Sequence, residues 1–260
     1  MTHLPRFCPL ASGSKGNCIY LETEHAKILI DAGISTRAIR LRLAEIGVDL
    51  ADIDAILVTH DHIDHIQGLR VAALRMGIPV FANNETAKGI ISKFGKCPKF
   101  KIFSTGETFS FADIEIHPFS IMHDTLDPVA FTLQFDNNKI GVCTDLGFVT
   151  TLVRKQLQNC NYLYLESNHC PELVKQCPRP MVYKQRVLSR QGHLSNQACG
   201  ELLREISHQD LKQVHLAHLS SECNSPEKAQ EVVSSVLSEA GIQLNLSIAW
   251  QDKISSQITF

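Results

Sequence analysis

The chain has 260 residues, 44% of them hydrophobic, and a formal net charge of −2. That size suits one large domain, 1–260, in which folding buries roughly three quarters of the unfolded surface. The near-balanced charge excludes the broad basic footprint of a nucleic-acid-coating protein. No run of about 18 apolar residues is present to cross a membrane, and MTHLPRFCPLASGSKGN lacks an apolar core of signal-peptide length, so a cytoplasmic location is expected. Nine cysteines, an odd number without a C-x-x-C pair, indicate neither a disulfide framework nor a zinc ribbon. Reduced, mostly buried thiols are expected.

In chain order, the loop ASGSKGN (11–17) leads into strand-like CIYLE. Short β-branched or aromatic runs bounded by turn residues follow: KILID (27–31), AILVT (55–59), PVFA (79–82), IEIHPF (114–119), VAFTLQF (129–135), KIGVCT (139–144), YLYLE (162–166) and VHLA (214–217). Apolar spacing of three and four predicts helices over 35–46, 66–76, 84–94, 195–206 and 226–240, with Ser35, Asn84, Ser195 and Ser225 as N-caps. Strands cluster from 100 to 145 with helices on both sides of that stretch. The expected class is therefore α/β, with two sheets packed together and helices outside.

The segment VTHDHIDHIQGL (58–69) places His60, Asp61, His62, Asp64 and His65 within six residues. A hydrophobic core does not select such a density of metal ligands, and neither does an ordinary solvated loop. His60 and His62, two apart, can face one ion from an extended turn, while Asp64 and His65 can face a second. His60, His123, Asp145 and His218 each follow a strand-like run, so shared sheet edges would bring them to one cleft. Imidazole nitrogen with carboxylate oxygen suits zinc, manganese or iron better than calcium or magnesium. Asp61 points away in an extended turn and is left as a local hydrogen-bond acceptor. His117 and His215 lie inside strands; with His3, His25 and His208 they are read as structural or surface residues.

THDHIDHIQGL resembles the signature of the metallo-β-lactamase-fold hydrolases. LASGSKGNCIYLET, ILIDAGIS, MHDTLDPVAF, GVCTDLGFV, YLYLESNHC, YKQRVLSRQGHLSN and LAHLSSE follow the same order. Over nearly the whole chain they resemble the YycJ (WalJ) branch, described as a DNA exonuclease group. The resemblance implies an αββα sandwich with two divalent ions. His60, His62 and His123 would hold one, Asp64, His65 and His218 the other, and Asp145 would bridge them. Two positions depart from the pattern: an acid is expected where Cys170 follows His169, and an asparagine where Cys223 follows Glu222.

A centre of two divalent ions, Asp64, Asp145 and a bridging hydroxide would keep a charge of about +1, attract an anionic phosphodiester and supply hydroxide near neutral pH. His193, in QGHLSN, is read either as an exposed turn residue or as the proton donor to the leaving oxygen. Turnover is expected to depend on His193 and on Asp64. Ser12, Ser14 and Asn17 in the 11–17 loop offer an anion nest, with a plain hairpin turn as the alternative. Lys184 and Arg186 are candidates for gripping phosphate, and His169 for lining the pocket or joining a core polar network. Asp31, closing KILID, is read as a turn cap or as a carboxylate that orients a ligand histidine. The expected function is a metal-dependent phosphodiester hydrolase, a DNA exonuclease by resemblance, with zinc or manganese as cofactor and iron as a further option. The rivals are a small-molecule hydrolase of cyclic phosphodiesters, thioesters or lactams, and a non-catalytic metal-binding module, against which the complete ligand set argues.

Overall fold

The structure, a computed structural model, describes residues 4–260; His3 lies outside the described residues. The chain divides into two compact units. One runs to Pro118 and adds Thr125–Val129 and Ala249–Phe260; the other comprises Phe119–Asp124 and Ala130–Ile248.

The first unit opens with the antiparallel strands β1 (Arg6–Ala11), β2 (Cys18–Glu22) and β3 (Lys27–Ile30). Helix α1 (Thr36–Glu45) then crosses over to β4 (Ala55–Leu57), parallel to β3. Short helices α2 (Ile63–Ile66) and α3 (Leu69–Ala72) lead to β5 (Val80–Ala82), and α4 (Asn84–Phe94) leads to β6 (Phe100–Ile102), both strands continuing the parallel order. Strands β7 (Phe109–Phe111) and β8 (Ile114–Ser120) form an antiparallel hairpin. Ile39 and Leu43 of α1, Leu69 of α3 and Ile90 of α4 pack with Leu29, Ile56 and Val80 of the strands in one core. Each such side chain, withdrawn fully from water, contributes about 2 kcal/mol.

Strand β9 (Val129–Phe135), which belongs to the second unit from Ala130 on, and β10 (Asn138–Cys143) are antiparallel. Helix α5 (Thr151–Leu157) carries the chain to β11 (Tyr162–Glu166), parallel to β10. Helices α6 (Pro171–Gln176), α7 (Met181–Val187) and α8 (Asn196–Ile206) precede β12 (Gln213–Ala217), and α9 (Pro226–Glu239) precedes β13 (Leu246–Ile248), both strands again parallel to their predecessors. Cys199, Leu202, Leu203 and Ile206 form the buried stripe of α8, the three-and-four spacing of a helix laid on a sheet. The last strand, β14 (Ile258–Thr259), pairs with β1. Among the described residues there are two seven-stranded sheets, ordered β14-β1-β2-β3-β4-β5-β6 and β13-β12-β11-β10-β9-β8-β7.

Three expectations need correction. The helix predicted over 66–76 is helical only at Ile66, the end of α2, and over Leu69–Ala72, α3: the Gly68 amide leaves the helical ladder to donate to the Ala32 carbonyl at 2.7 Å, and 73–76 is turn. The cap of α4 is Asn83, not Asn84; its side chain accepts from the Thr86 amide at 2.9 Å. The strand ends preceding His60, Asp145 and His218 do not share one sheet, since β4 lies in the first and β10 and β12 in the second.

Candidate metal centre

In the first unit the functional side chains gather at the carboxyl ends of the parallel strands β3 and β4, where open α/β sheets usually bind ligands. Asp31 follows β3 in a left-handed backbone conformation, φ 60°. Its carboxylate accepts from the Thr59 amide at 2.9 Å, from Thr59 Oγ1, and from His65 Nδ1 at 2.7 Å. Thr59 Oγ1 spends its one proton on Asp31, so it accepts from His60 Nδ1 at 3.0 Å. Both imidazoles therefore carry the Nδ1 proton and present Nε2 as the lone-pair atom. His60 lies 4.7 Å from His62 and 4.1 Å from His65, ring centre to ring centre, and Asp64 Oδ2 is 3.7 Å from His65 Nε2. This packing of imidazoles with a carboxylate fits a divalent cation that takes nitrogen and oxygen.

The neighbouring loops brace that arrangement. Asn17 Oδ1 accepts from Gly13, the Asn17 amide donates to Asp64 O at 2.8 Å, and Asn17 Nδ2 meets His65 Nε2 at 3.0 Å. The amides of Ser12, Gly13, Lys15, Gly16 and Asn17 all donate within the chain. The 11–17 loop is thus a closed turn supporting Asp64 rather than an open anion nest. Ser12 is buried and Ser14 exposed. Asp61 accepts from Thr125 Oγ1 at 2.6 Å and from Lys93; burial opposes its charge, but these partners hold its carboxyl below the usual range.

Gly33 is where close approach is strictest, because a Cβ there would sit 1.5 Å from the Asp64 carbonyl oxygen. Gly33→Ala is expected to push the Asp64 backbone aside and cost about 3 kcal/mol, the upper end for overpacking. Urea denaturation would measure it. An unchanged midpoint would mean that the loop yields freely. Asp31→Asn keeps a residue tolerant of positive φ, yet sets an amide N–H against His65 or Thr59. Metal affinity is expected to drop about 10- to 100-fold, read by competition with a chromophoric chelator.

In the second unit the same rule holds at β10, β11 and β12. Asp145 and His218, just beyond β10 and β12, are also left-handed, φ 59° and 54°. Glu166 closes β11 and is fully buried. Its Oε1 accepts from His193 Nδ1 at 2.8 Å and His218 Nδ1 at 2.9 Å, while Oε2 accepts from the Leu146 and Leu194 amides at 2.9 and 3.0 Å. Burial alone would raise its pKa, but the charge of His193 and the two imidazole hydrogen bonds outweigh burial and bring it to about 2. Asn168 Nδ2 holds the His218 carbonyl at 2.7 Å. His123 Nδ1 donates to the Gly192 carbonyl at 3.1 Å, and burial lowers its pKa, favouring the neutral ring that a metal requires. Asp145, Glu166, His193 and His218 each bring a ligand-type atom within 4.8 Å of the others.

His169 is buried, its pKa lowered to about 4 chiefly by desolvation, and its carbonyl accepts from the Asn196 amide. Lys184 donates to the Lys175 carbonyl, and Arg186 pairs with Asp124. Sequence reasoning passed over Glu166, although the signal was present: an acid closing an apolar strand, as Asp31 closes β3.

Two sheets flanked by helices, carrying imidazoles and carboxylates beyond the ends of parallel strands, define a metallo-hydrolase fold. The chain belongs to the β-lactamase superfamily, whose domain model, described as "Beta-lactamase superfamily domain", matches residues 26–218. It is similar to exodeoxyribonuclease YycJ of Bacillus anthracis, 37% identical over 238 residues covering 90% of each chain. It is also similar to exodeoxyribonuclease WalJ of Streptococcus pneumoniae serotype 2, 36% identical over 251 residues covering 95% of this chain and 93% of that one. Among solved structures, the metallo-β-lactamase-fold protein YhfI of Bacillus subtilis shares the fold with a TM-score of 0.74 at 13% identity, covering 97% of this chain and 99% of that chain. The fold implies divalent metal ions. Among the described residues no helix is long and apolar enough to cross a membrane.

Proposed function

We propose that this metallo-hydrolase cleaves phosphodiester bonds in DNA, working from an end. The observation that carries this reading is similarity over nine tenths or more of the chain to two proteins named exodeoxyribonucleases. As part of the same reading, His60, His62, His123, Asp64, His65, His218 and Asp145 are the residues that would hold the divalent ions. Zinc or manganese suits these donors. Divalent ions bound there would activate water and offset phosphate charge.

The chain's own residues would do the rest. Glu166 fixes the rings of His193 and His218 by their Nδ1 protons, which leaves Nε2 of His193 as the atom able to pass a proton to the leaving oxygen. A general acid of this kind contributes about 10²–10⁴-fold. Arg186 sits beside His123 through Asp124 and would exchange that carboxylate for a substrate phosphate.

The test is metal-loaded protein with duplex DNA labelled separately at its 5′ and 3′ ends, a chelator serving as control. Chelator-sensitive, stepwise loss from one end supports the proposal and gives the polarity. Survival of both labels in zinc, manganese and iron would sink it and turn attention to small phosphodiesters and thioesters.

A further inference from the structure

The proposed reaction uses neither Cys170 nor Cys223. Cys223 lies in the loop that follows His218, and Cys177 caps the end of α6. Val174, Cys177, Val187 and Cys223 form a small buried cluster, with Tyr183 packed against it. Within it the Cys177 thiol donates to the Val174 carbonyl at 3.2 Å. Cys177 and Cys223 are the two thiols of this four-residue cluster, near enough for Cys177 to influence the protonation of Cys223. Cys170 is close in backbone only: its amide donates to the Cys223 carbonyl at 3.0 Å, but its thiol is turned to Glu172 at 3.0 Å. Two thiols thus share one small cluster, and the third is directed elsewhere.

The pair joins two segments that matter to the candidate centre. On one side is the α6–α7 hairpin, which leads into His193. On the other is the loop whose Ser220 amide donates to the Asn168 carbonyl, Asn168 in turn holding the carbonyl of His218. Cys177 keeps 8% exposure and Cys223 none, while the neighbouring Met181 and Val182 are 65% and 77% exposed. Short helices with few buried side chains open locally at low cost. A small oxidant therefore meets Cys177 first.

We propose that Cys177 and Cys223 form an oxidation site, which a small peroxide such as hydrogen peroxide converts into a disulfide linking α6 to the loop after His218. The Cys177 sulfur attacks one peroxide oxygen and becomes a sulfenic acid; the other oxygen leaves with the thiol proton as water. The Cys223 sulfur then attacks the Cys177 sulfur, and the displaced hydroxide takes the Cys223 proton as a second water. Two thiols give up two electrons, and one peroxide is reduced to two waters. Closing the pair brings two sulfurs of one buried cluster to a bond of about 2.05 Å. Burial, and then the neighbouring Cys177, raises the Cys223 thiol to about 11, which suits the resolving rather than the initiating partner.

The experiment treats the native full chain with hydrogen peroxide, quenches it, alkylates it in denaturant, and maps unreduced peptides by mass spectrometry. Expected is a cross-link between the Cys177 and Cys223 peptides that dithiothreitol removes, that Cys177→Ser abolishes and that Cys170→Ser retains. Recovery of Cys177 and Cys223 as alkylated thiols while Cys97, exposed on the surface, is oxidised would overturn the proposal. So would a link between Cys223 and Cys170. This readout does not depend on the DNA substrate and stands apart from the nuclease assay.

Discussion

Glu166→Gln is expected to destabilise the second unit by about 3 kcal/mol, in the range for breaking a buried charged network, and to lower turnover by about 100-fold. Four N–H donors converge on the two oxygens of this buried carboxylate. A glutamine supplies one acceptor oxygen and one NH2 group. Whichever way the amide turns, two donors face a donor. If NH2 faces His193 and His218, both rings lose the anchor that fixes their tautomer; if it faces Leu146 and Leu194, two buried amides go unsatisfied at about 1–3 kcal/mol each. Denaturant unfolding and steady-state rates on the same preparation separate the two effects. An unchanged midpoint would show that the four-donor anchor carries no stability. The pH dependence has a definite sign. A carboxyl held near 2 in the native state, against an ordinary 4.5, contributes stability that is present above 4.5 and lost as pH falls toward 2. The parent chain should therefore lose stability across that window more steeply than Glu166→Gln.

The residues that announce themselves in sequence do so by density or by period. His60, His62, Asp64 and His65 are legible as a candidate site because so many ligand-type side chains lie in so few residues, and VAFTLQF and YLYLE are legible because strands of that length are mostly buried. Glu166 was hidden by YLYLE itself, where a terminal acid reads as the edge of a strand rather than as the group that organises two histidines. Helices α5, α6 and α7 span six or seven residues each, fewer than two full turns, too little for a period to register. The 11–17 loop was ambiguous because composition cannot say whether glycine amides face a ligand or their own chain. Hydrogen bonds to Asn17, Gln251 and Trp250 answer that, and two of those partners lie more than two hundred residues away. The positive φ of Asp31, Asp145 and His218 is likewise invisible in sequence, since nothing marks these residues as left-handed. Such backbone is sparsely populated and concentrates at functional sites; here each of the three lies just beyond a strand end, among the side chains of the candidate site.

Chelation is expected to abolish phosphodiester hydrolysis, and added zinc or manganese to restore it in the parent chain but not in Asp64→Ala, whose rate should stay at least about 10³-fold down. The magnitude follows from the nucleophile: coordination moves the pKa of water from 15.7 toward about 7, a gain of many powers of ten in hydroxide that lower intrinsic reactivity only partly offsets. Asp64 is the informative ligand to remove. Its side chain keeps 28% exposure, so truncation leaves no buried hole and should change unfolding by no more than about 1 kcal/mol. The backbone that positions it, held by Asn17 and packed on Gly33, does not need the carboxylate. Lost activity with an intact denaturation midpoint would therefore assign Asp64 to chemistry rather than folding. Metal content measured on both proteins completes the test. Full turnover in a demetallated chain, or in Asp64→Ala, would show that the histidine and aspartate cluster is not where hydrolysis occurs.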